Sequence, residues 1–239
     1  MYHTETFKEK LALFLIKLCY NPKILFEDES VQGRELKEPM VIICNHTRKT
    51  NKFRVAEADG PLIRYAFLNK SVCSLAAKDI MAKFPWKFLM KDLDCIPVDR
   101  FSASTKWARD CTAELEKGKS IILFPEGTTL KSQEISEFQS GFLLLAKTAN
   151  VKVLPVVIYR TFGLFKRRRP KIKIGVPYAL STEKLTKSTR QQETERFQRI
   201  ITEMYCDVTG KSVHEATKEK IHLYKKFDKD DNTEKLVMK

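Results

Sequence analysis

Three short apolar runs, Met40–Cys44, Ser120–Phe124 and Val151–Ile158, do most to limit what this chain can fold into. Each is continuous rather than alternating, rich in Val and Ile, and of strand length, the pattern of a strand covered on both faces. Helical spacing separates them. Ser102–Lys117 reads as a helix capped by Ser102, with Trp107, Cys111 and Leu115 on one face and Gly118 at its end. Ile135–Ala149 reads as the next helix, and Thr189–Val208 as a long amphipathic one closed by Gly210. Lys23–Phe26 suits a short strand and Glu27–Glu38 a turn, while the charged–apolar alternation of Lys171–Val176 suits an edge strand. Strands alternating with helices predict an α/β fold, a mostly parallel central sheet flanked by helices in a single domain. Residues 1–39 form an N-terminal amphipathic helix and lead-in, 40–180 the α/β body, and 181–239 a C-terminal helical extension.

Charge limits the partners. The 239 residues carry 44 Lys+Arg against 30 Asp+Glu, a net of +14. From Ser181 onward 13 bases nearly balance 11 acids, so the body holds the excess, 31 against 19. Such a field attracts polyanions: nucleic acid, an anionic membrane or a phosphorylated substrate. A nucleic-acid partner is not expected, because neither a recognition-helix motif nor the aromatic strand pattern of RNA modules is present. The six cysteines show no CxxC pair, and the four histidines are scattered, so neither a disulfide framework nor a zinc site is expected. With no secretory signal, this reads as a reduced, cytoplasmic chain. No run approaches the ~20 apolar residues of a bilayer-spanning helix. Phe7–Cys19, interrupted by Lys8, Glu9, Lys10 and Lys17, reads as an amphipathic helix lying on a membrane surface or on the protein's own core.

Reactive residues in such sheets sit just past the carboxyl ends of strands, and two candidates stand there. Asn45 and His46 follow Met40–Cys44. A histidine so held can serve as general base if an acid orients its ring, and it equally suits a cap or a surface position. Phe124, Pro125, Glu126, Gly127, Thr128 and Thr129 follow the second run, with hydroxyls and amides fit for an oxyanion or phosphate, or for an ordinary strand-ending turn. Between them the apolar run from Cys95 ends at Arg100, whose planar fork suits a phosphate.

Taken together, these motifs in this order, followed by Leu154, Pro155 and Val156, resemble the glycerolipid acyltransferase family. Within it they are most similar to the 1-acylglycerol-3-phosphate acyltransferases (PlsC-like). The resemblance spans Val41 to Pro177, including Phe138–Gly141 and Gly175–Pro177. It implies transfer of a fatty acyl group from acyl-CoA or acyl-carrier protein to a lysophospholipid hydroxyl in phospholipid biosynthesis. It implies no metal and no cofactor beyond the thioester co-substrate. It further implies His46 as general base, Arg100 on the acceptor's phosphate, Glu126, Gly127, Thr128 and Thr129 around the acceptor, and Pro155 near the acyl chain. An enzyme of this kind is expected to be cytoplasmic and peripheral on the inner face of a membrane.

The sequence departs from the family pattern in three places. The family spaces its histidine and aspartate as His-x-x-x-x-Asp, which here falls on Asn51. Asp59, followed by Gly60 and Pro61, fits the turn that usually comes after that aspartate, so an insertion between Thr47 and Asp59 is inferred, with Asp59 as the partner of His46. Thr129 and Gln139 stand where the family carries cations, for which Lys131, Arg48 or Lys49 could compensate. That leaves room for a different lysolipid or amino-lipid acceptor, and literal use of Asn51 for a catalytically dead lipid binder. The stretch Arg160–Lys173 carries seven cations and no acid, and reads as a loop that docks on anionic lipid or on the phosphates of coenzyme A.

Overall fold

The computed structural model describes residues 7–27, 36–47, 59–67, 72–81, 95–99, 105–127, 134–160, 169–181, 184–217, 223–227 and 234–238. In chain order the elements are α1 (Phe7–Tyr20), β1 (Lys23–Phe26), β2 (Met40–Cys44), α2 (Asp59–Ala66), β3 (Val72–Ala77), α3 (Lys78–Met81), β4 (Cys95–Val98), α4 (Lys106–Glu116), β5 (Ser120–Leu123), α5 (Gly141–Thr148), β6 (Lys152–Tyr159), β7 (Lys171–Ile174), α6 (Lys187–Thr209), α7 (Val213–Ala216), β8 (Leu223–Phe227) and β9 (Glu234–Met238). Seven strands form one sheet in the order β1-β7-β6-β2-β5-β3-β4, and β8 and β9 form a separate antiparallel pair. Every pairing in the large sheet is parallel except β6 with β7.

The central runs are apolar throughout because helices cover both faces. Val41 and Ile43 of β2 pack with Val153 and Val157 of β6 against Phe142 and Leu143 of α5 and Phe197, Ile201 and Tyr205 of α6. Met40, Ile42 and Cys44 alternate to the other face, against Ile16 of α1 and Leu62 and Ile63 of α2. All five β2 residues are buried. Both α6 and β1 lie outside the 40–180 segment, yet α6 contributes to this core and β1 to this sheet.

Three readings of local structure change. The Lys171–Ile174 strand is not at the edge: β7 lies between β1 and β6, and β1 takes the edge. Its lysines alternate because they reach the end of α6, Lys171 Nζ donating to the Val208 carbonyl at 3.0 Å and Lys173 Nζ pairing with Asp207 at 2.8 Å. Helix α5 begins at Gly141 rather than Ile135, because the intervening backbone bonds elsewhere. Ile135 N–H donates to the Ala216 carbonyl (2.8 Å) and Gln139 N–H to the Pro125 carbonyl (2.7 Å). Helix α4 starts at Lys106, and the proposed cap Ser102 lies outside the described residues. Helix α6 starts two residues before its expected span and ends one after it, with Thr186 accepting from Thr189 N–H and Gly210 ending it at φ 73°.

Candidate active site

Strands β2, β5 and β6 are neighbours and parallel, so their carboxyl ends open at the same edge of the sheet. That geometry gathers Asn45, His46 and Thr47 from β2, Phe124, Glu126 and Gly127 from β5, and Arg160 from β6. The amide of Asn45 acts as a further rung of the ladder: its Nδ2 donates to the Ile158 carbonyl and its Oδ1 accepts from Ile158 N–H, each at 3.0 Å. His46 is therefore held by a paired neighbour rather than left on a free loop.

The imidazole is fixed on two sides. Asp59, the first residue of α2, is fully buried, and its Oδ2 lies 3.2 Å from His46 Nδ1. Thr47 fixes that carboxylate, its N–H donating to Oδ2 at 2.8 Å and its hydroxyl to Oδ1 at 2.7 Å. Arg160 Nη1 stands 3.7 Å from Oδ1. The imidazole face stacks on Phe124 with centroids 3.8 Å apart and planes at 12°. With Nδ1–H donated to the carboxylate, Nε2 keeps its lone pair, and the side chain remains 18% exposed. This arrangement can take a proton from a hydroxyl and stabilise the imidazolium that results. Cys44 is no rival nucleophile: burial, then the Asp59 and Glu126 carboxylates, push its thiol well up.

Glu126 is buried, and the protein's own donors occupy both its oxygens. Oε1 accepts from His46 N–H at 2.7 Å, and Oε2 from Ser136 N–H at 3.1 Å and Ser136 Oγ at 2.8 Å. Burial pushes its carboxyl up, against the pull of His46 and Ser136. Gly127 takes φ 67°, and its N–H closes the turn onto the Phe124 carbonyl at 3.0 Å.

Of the residues singled out in the sequence, His46, Asp59, Glu126 and Gly127 come together here. Arg100, Thr128, Thr129, Asn51, Arg48, Lys49 and Lys131 lie outside the described residues. Pro155 sits apart, buried in mid-β6 opposite Ile43 and accepting from Gly175 N–H at 2.9 Å. That is three residues, about 10 Å, behind Ile158 along the strand. The lipid-docking reading of Arg160–Lys173 needs correction at its ends. Arg160 is 5% exposed and faces Asp59, and Lys171 and Lys173 pair with α6, while residues 161–168 lie outside the described residues. Thr47, Ser136 and Arg160 had no motif to mark them. Arg160 does follow a buried parallel strand, as His46 does, and that position was a signal.

Helix α1 packs on the protein's own core by one face and leaves a second apolar face exposed. Ile16 is buried, and Leu13 and Tyr20 pack against the same cluster. Leu11, Phe14, Leu15 and Leu18, at helical spacing, face outward at 46, 59, 42 and 66% exposure, flanked by the exposed Lys10 and Lys17. No helix among the described residues is long and apolar enough to cross a membrane.

Comparison with known proteins follows the same lines. The acyltransferase family model matches residues 23–159. A probable 1-acyl-sn-glycerol-3-phosphate acyltransferase of Mycoplasma genitalium is 29% identical over 147 residues, 59% of this chain and 51% of that protein. A lyso-ornithine lipid O-acyltransferase of Pseudomonas aeruginosa is 27% identical over 142 residues, again 59% and 51%. The chain thus spans about half the length of these curated relatives. The crystal structure of PlsC, the 1-acyl-sn-glycerophosphate acyltransferase of Thermotoga maritima, superposes with a TM-score of 0.57 at 18% identity, covering 83% of this chain and 78% of that one. The fold is that of PlsC, with the matched region running from β1 to the end of β6, and the chain belongs to the acyltransferase family.

Proposed function

We propose that this chain transfers a fatty acyl group from a thioester, acyl-CoA or acyl-carrier protein, to the free hydroxyl of 1-acylglycerol-3-phosphate. The observation that carries the reading is the 3.2 Å contact of His46 Nδ1 with the buried Asp59 carboxylate, which leaves Nε2 as the accessible base. Nε2 takes the acceptor's hydroxyl proton as its oxygen attacks the thioester carbonyl. Collapse of the tetrahedral adduct breaks the C–S bond, and the departing sulfur takes the proton back from the imidazolium. Ester and thiol are the products, and the enzyme returns to its starting form. The Asp59 carboxylate stabilises that imidazolium. Arg100 serves the acceptor's phosphate, and Thr128 and Thr129 stand around the acceptor.

The outward face of α1 docks on an anionic lipid surface, Phe14 and Leu18 entering the interface while Lys10 and Lys17 meet headgroups. That brings the site to a substrate that resides in the membrane.

A second reading differs in the acceptor. Thr129 and Gln139 stand where the family has cations, and the Pseudomonas aeruginosa relative is named for a lyso-ornithine lipid. An acceptor lacking a phosphate fits those losses.

The test is acyl transfer by the purified chain on vesicles. Lysophosphatidic acid and other lysolipids, including a lyso-ornithine lipid, are offered with a panel of acyl-CoA and acyl-carrier-protein donors, and product is read by mass spectrometry. Phosphatidic acid is expected, reduced at least ~100-fold by His46→Ala and by Asp59→Asn, and retained by Asn51→Ala. Product only from an acceptor without phosphate selects the second reading, and none from any pair overturns both.

A further inference from the structure

Arg160 follows β6 directly and is buried, where a guanidinium costs several kcal/mol unless it is paired. Among the described residues, Asp59 and Tyr20 face it. Asp59 Oδ1 lies 3.7 Å from Nη1, and the ring of Tyr20, the last residue of α1, lies beneath the guanidinium with its centroid 4.9 Å away. The two oxygens of Asp59 divide their work. Oδ1 faces Arg160 and the Thr47 hydroxyl, while Oδ2 faces Thr47 N–H and His46 Nδ1. Contacts to Oδ1 therefore set the plane in which Oδ2 meets the imidazole. Charge points the same way: Asp59 and Glu126 are two buried carboxylates against His46, and Arg160 is a buried cation facing one of them.

We infer that Arg160 is a positioning residue for the acyl-transfer dyad. It holds Asp59 in the orientation that selects the Nδ1–H tautomer of His46, and Tyr20 holds Arg160, so the seating of α1 on the sheet is linked to the base. The inference rests on His46 and Asp59 working as proposed above. The chain of contacts runs Tyr20, Arg160, Asp59, His46, and joins the helix that carries the outward apolar face to the reacting nitrogen.

The test uses the full chain with Arg160→Met, Arg160→Lys, Tyr20→Leu and Tyr20→Phe. Two readouts are taken: kcat and KM for acyl transfer, and the tautomer of His46 by nitrogen-15 NMR of labelled imidazole. Arg160→Met is expected to lower kcat about 10–100-fold with the acceptor's KM within about twofold, since sub-ångström misplacement of a base acts on the chemical step. Arg160→Lys recovers part of that loss. Tyr20→Leu lowers kcat about 3–10-fold, and Tyr20→Phe, which keeps a ring under the cation, restores most of it. In the spectra Arg160→Met mixes the two tautomers, whereas wild type and Arg160→Lys hold Nδ1–H. A rise in KM alone would make Arg160 a substrate contact and overturn the inference, as would an unchanged tautomer with unchanged kcat. If wild type shows no turnover, the proposed activity fails and the spectra still decide the positioning. If Arg160→Met does not fold, Arg160→Lys and the Tyr20 pair carry the decision.

Discussion

The side chain of Asn45 pairs with both the N–H and the carbonyl of Ile158, so the β2–β6 ladder runs one residue past the strand and stops just before His46. Backbone groups that would otherwise be stranded at a buried strand end are thereby satisfied. Asn45→Ala leaves two of them unpaired at about 1–3 kcal/mol each. The expected result is a melting temperature lowered by about 4–24 °C, together with loss of acyl transfer as His46 detaches. Differential scanning calorimetry and the vesicle assay check the pair, and a variant that melts like wild type would remove the role given to this amide.

Phe124 lies flat against the imidazole at 3.8 Å. Stacked rings contribute about 0.5–1.5 kcal/mol beyond burial, a factor of roughly 2–10 in rate if the contact serves the reacting geometry. Phe124→Leu is expected to lower kcat by that factor with little change in KM, and steady-state kinetics on vesicles decides it. A KM effect alone would assign the ring to substrate binding.

Glu126 gives a pH dependence with a defined sign. Burial raises its carboxyl above the ordinary 4.5, so the native state holds that proton more tightly than the unfolded chain does. Its share of stability is greatest below that value and declines as pH rises through the raised one. Glu126→Gln removes the titration and sets an amide N–H against Ser136 N–H, lowering stability by about 1–3 kcal/mol. The gap in melting temperature between wild type and Glu126→Gln should narrow from pH 4 to pH 7. A constant gap would mean that the carboxyl titrates alike in both states.

The outward face of α1 separates docking from folding. Phe14 and Leu18 are 59 and 66% exposed, so Phe14→Ser with Leu18→Ser should leave the melting temperature nearly unchanged. Loss of two side chains from a lipid interface, at about 1–3 kcal/mol together once partial immersion is allowed for, should weaken binding to anionic vesicles roughly 5–150-fold. Sedimentation with vesicles measures it. Undiminished binding would place the docking surface elsewhere.

The fold was legible in the sequence wherever burial on both faces left an unbroken apolar run, as in Met40–Cys44 and Val151–Ile158. Strands β3 and β4 were harder: Ser74 interrupts Val72–Ala77, and Cys95–Val98 is a half-buried edge strand that carries Pro97. The start of α5 was misplaced because Ile135 and Gln139 spend their N–H groups on distant carbonyls, which periodicity does not record. In the site, His46 and Glu126 could be located by their position after strands. Asp59 needed the family's turn beside it, since its distance along the chain from His46 carries no signal. Arg160 lay hidden in a run of cations, its partners Asp59 and Tyr20 being far away in sequence.

The Asn45–Ile158 pairing spans 113 residues, and the His46–Glu126 bond spans 80. A growing chain therefore exposes its histidine long before the strands that seat it have been synthesised. Slippage of β6 by one residue would move Ile158 about 3.3 Å, more than the length of the bonds it makes. Seating of His46 thus times the closing of the sheet, and a half-folded chain has an imidazole with nothing to hold it.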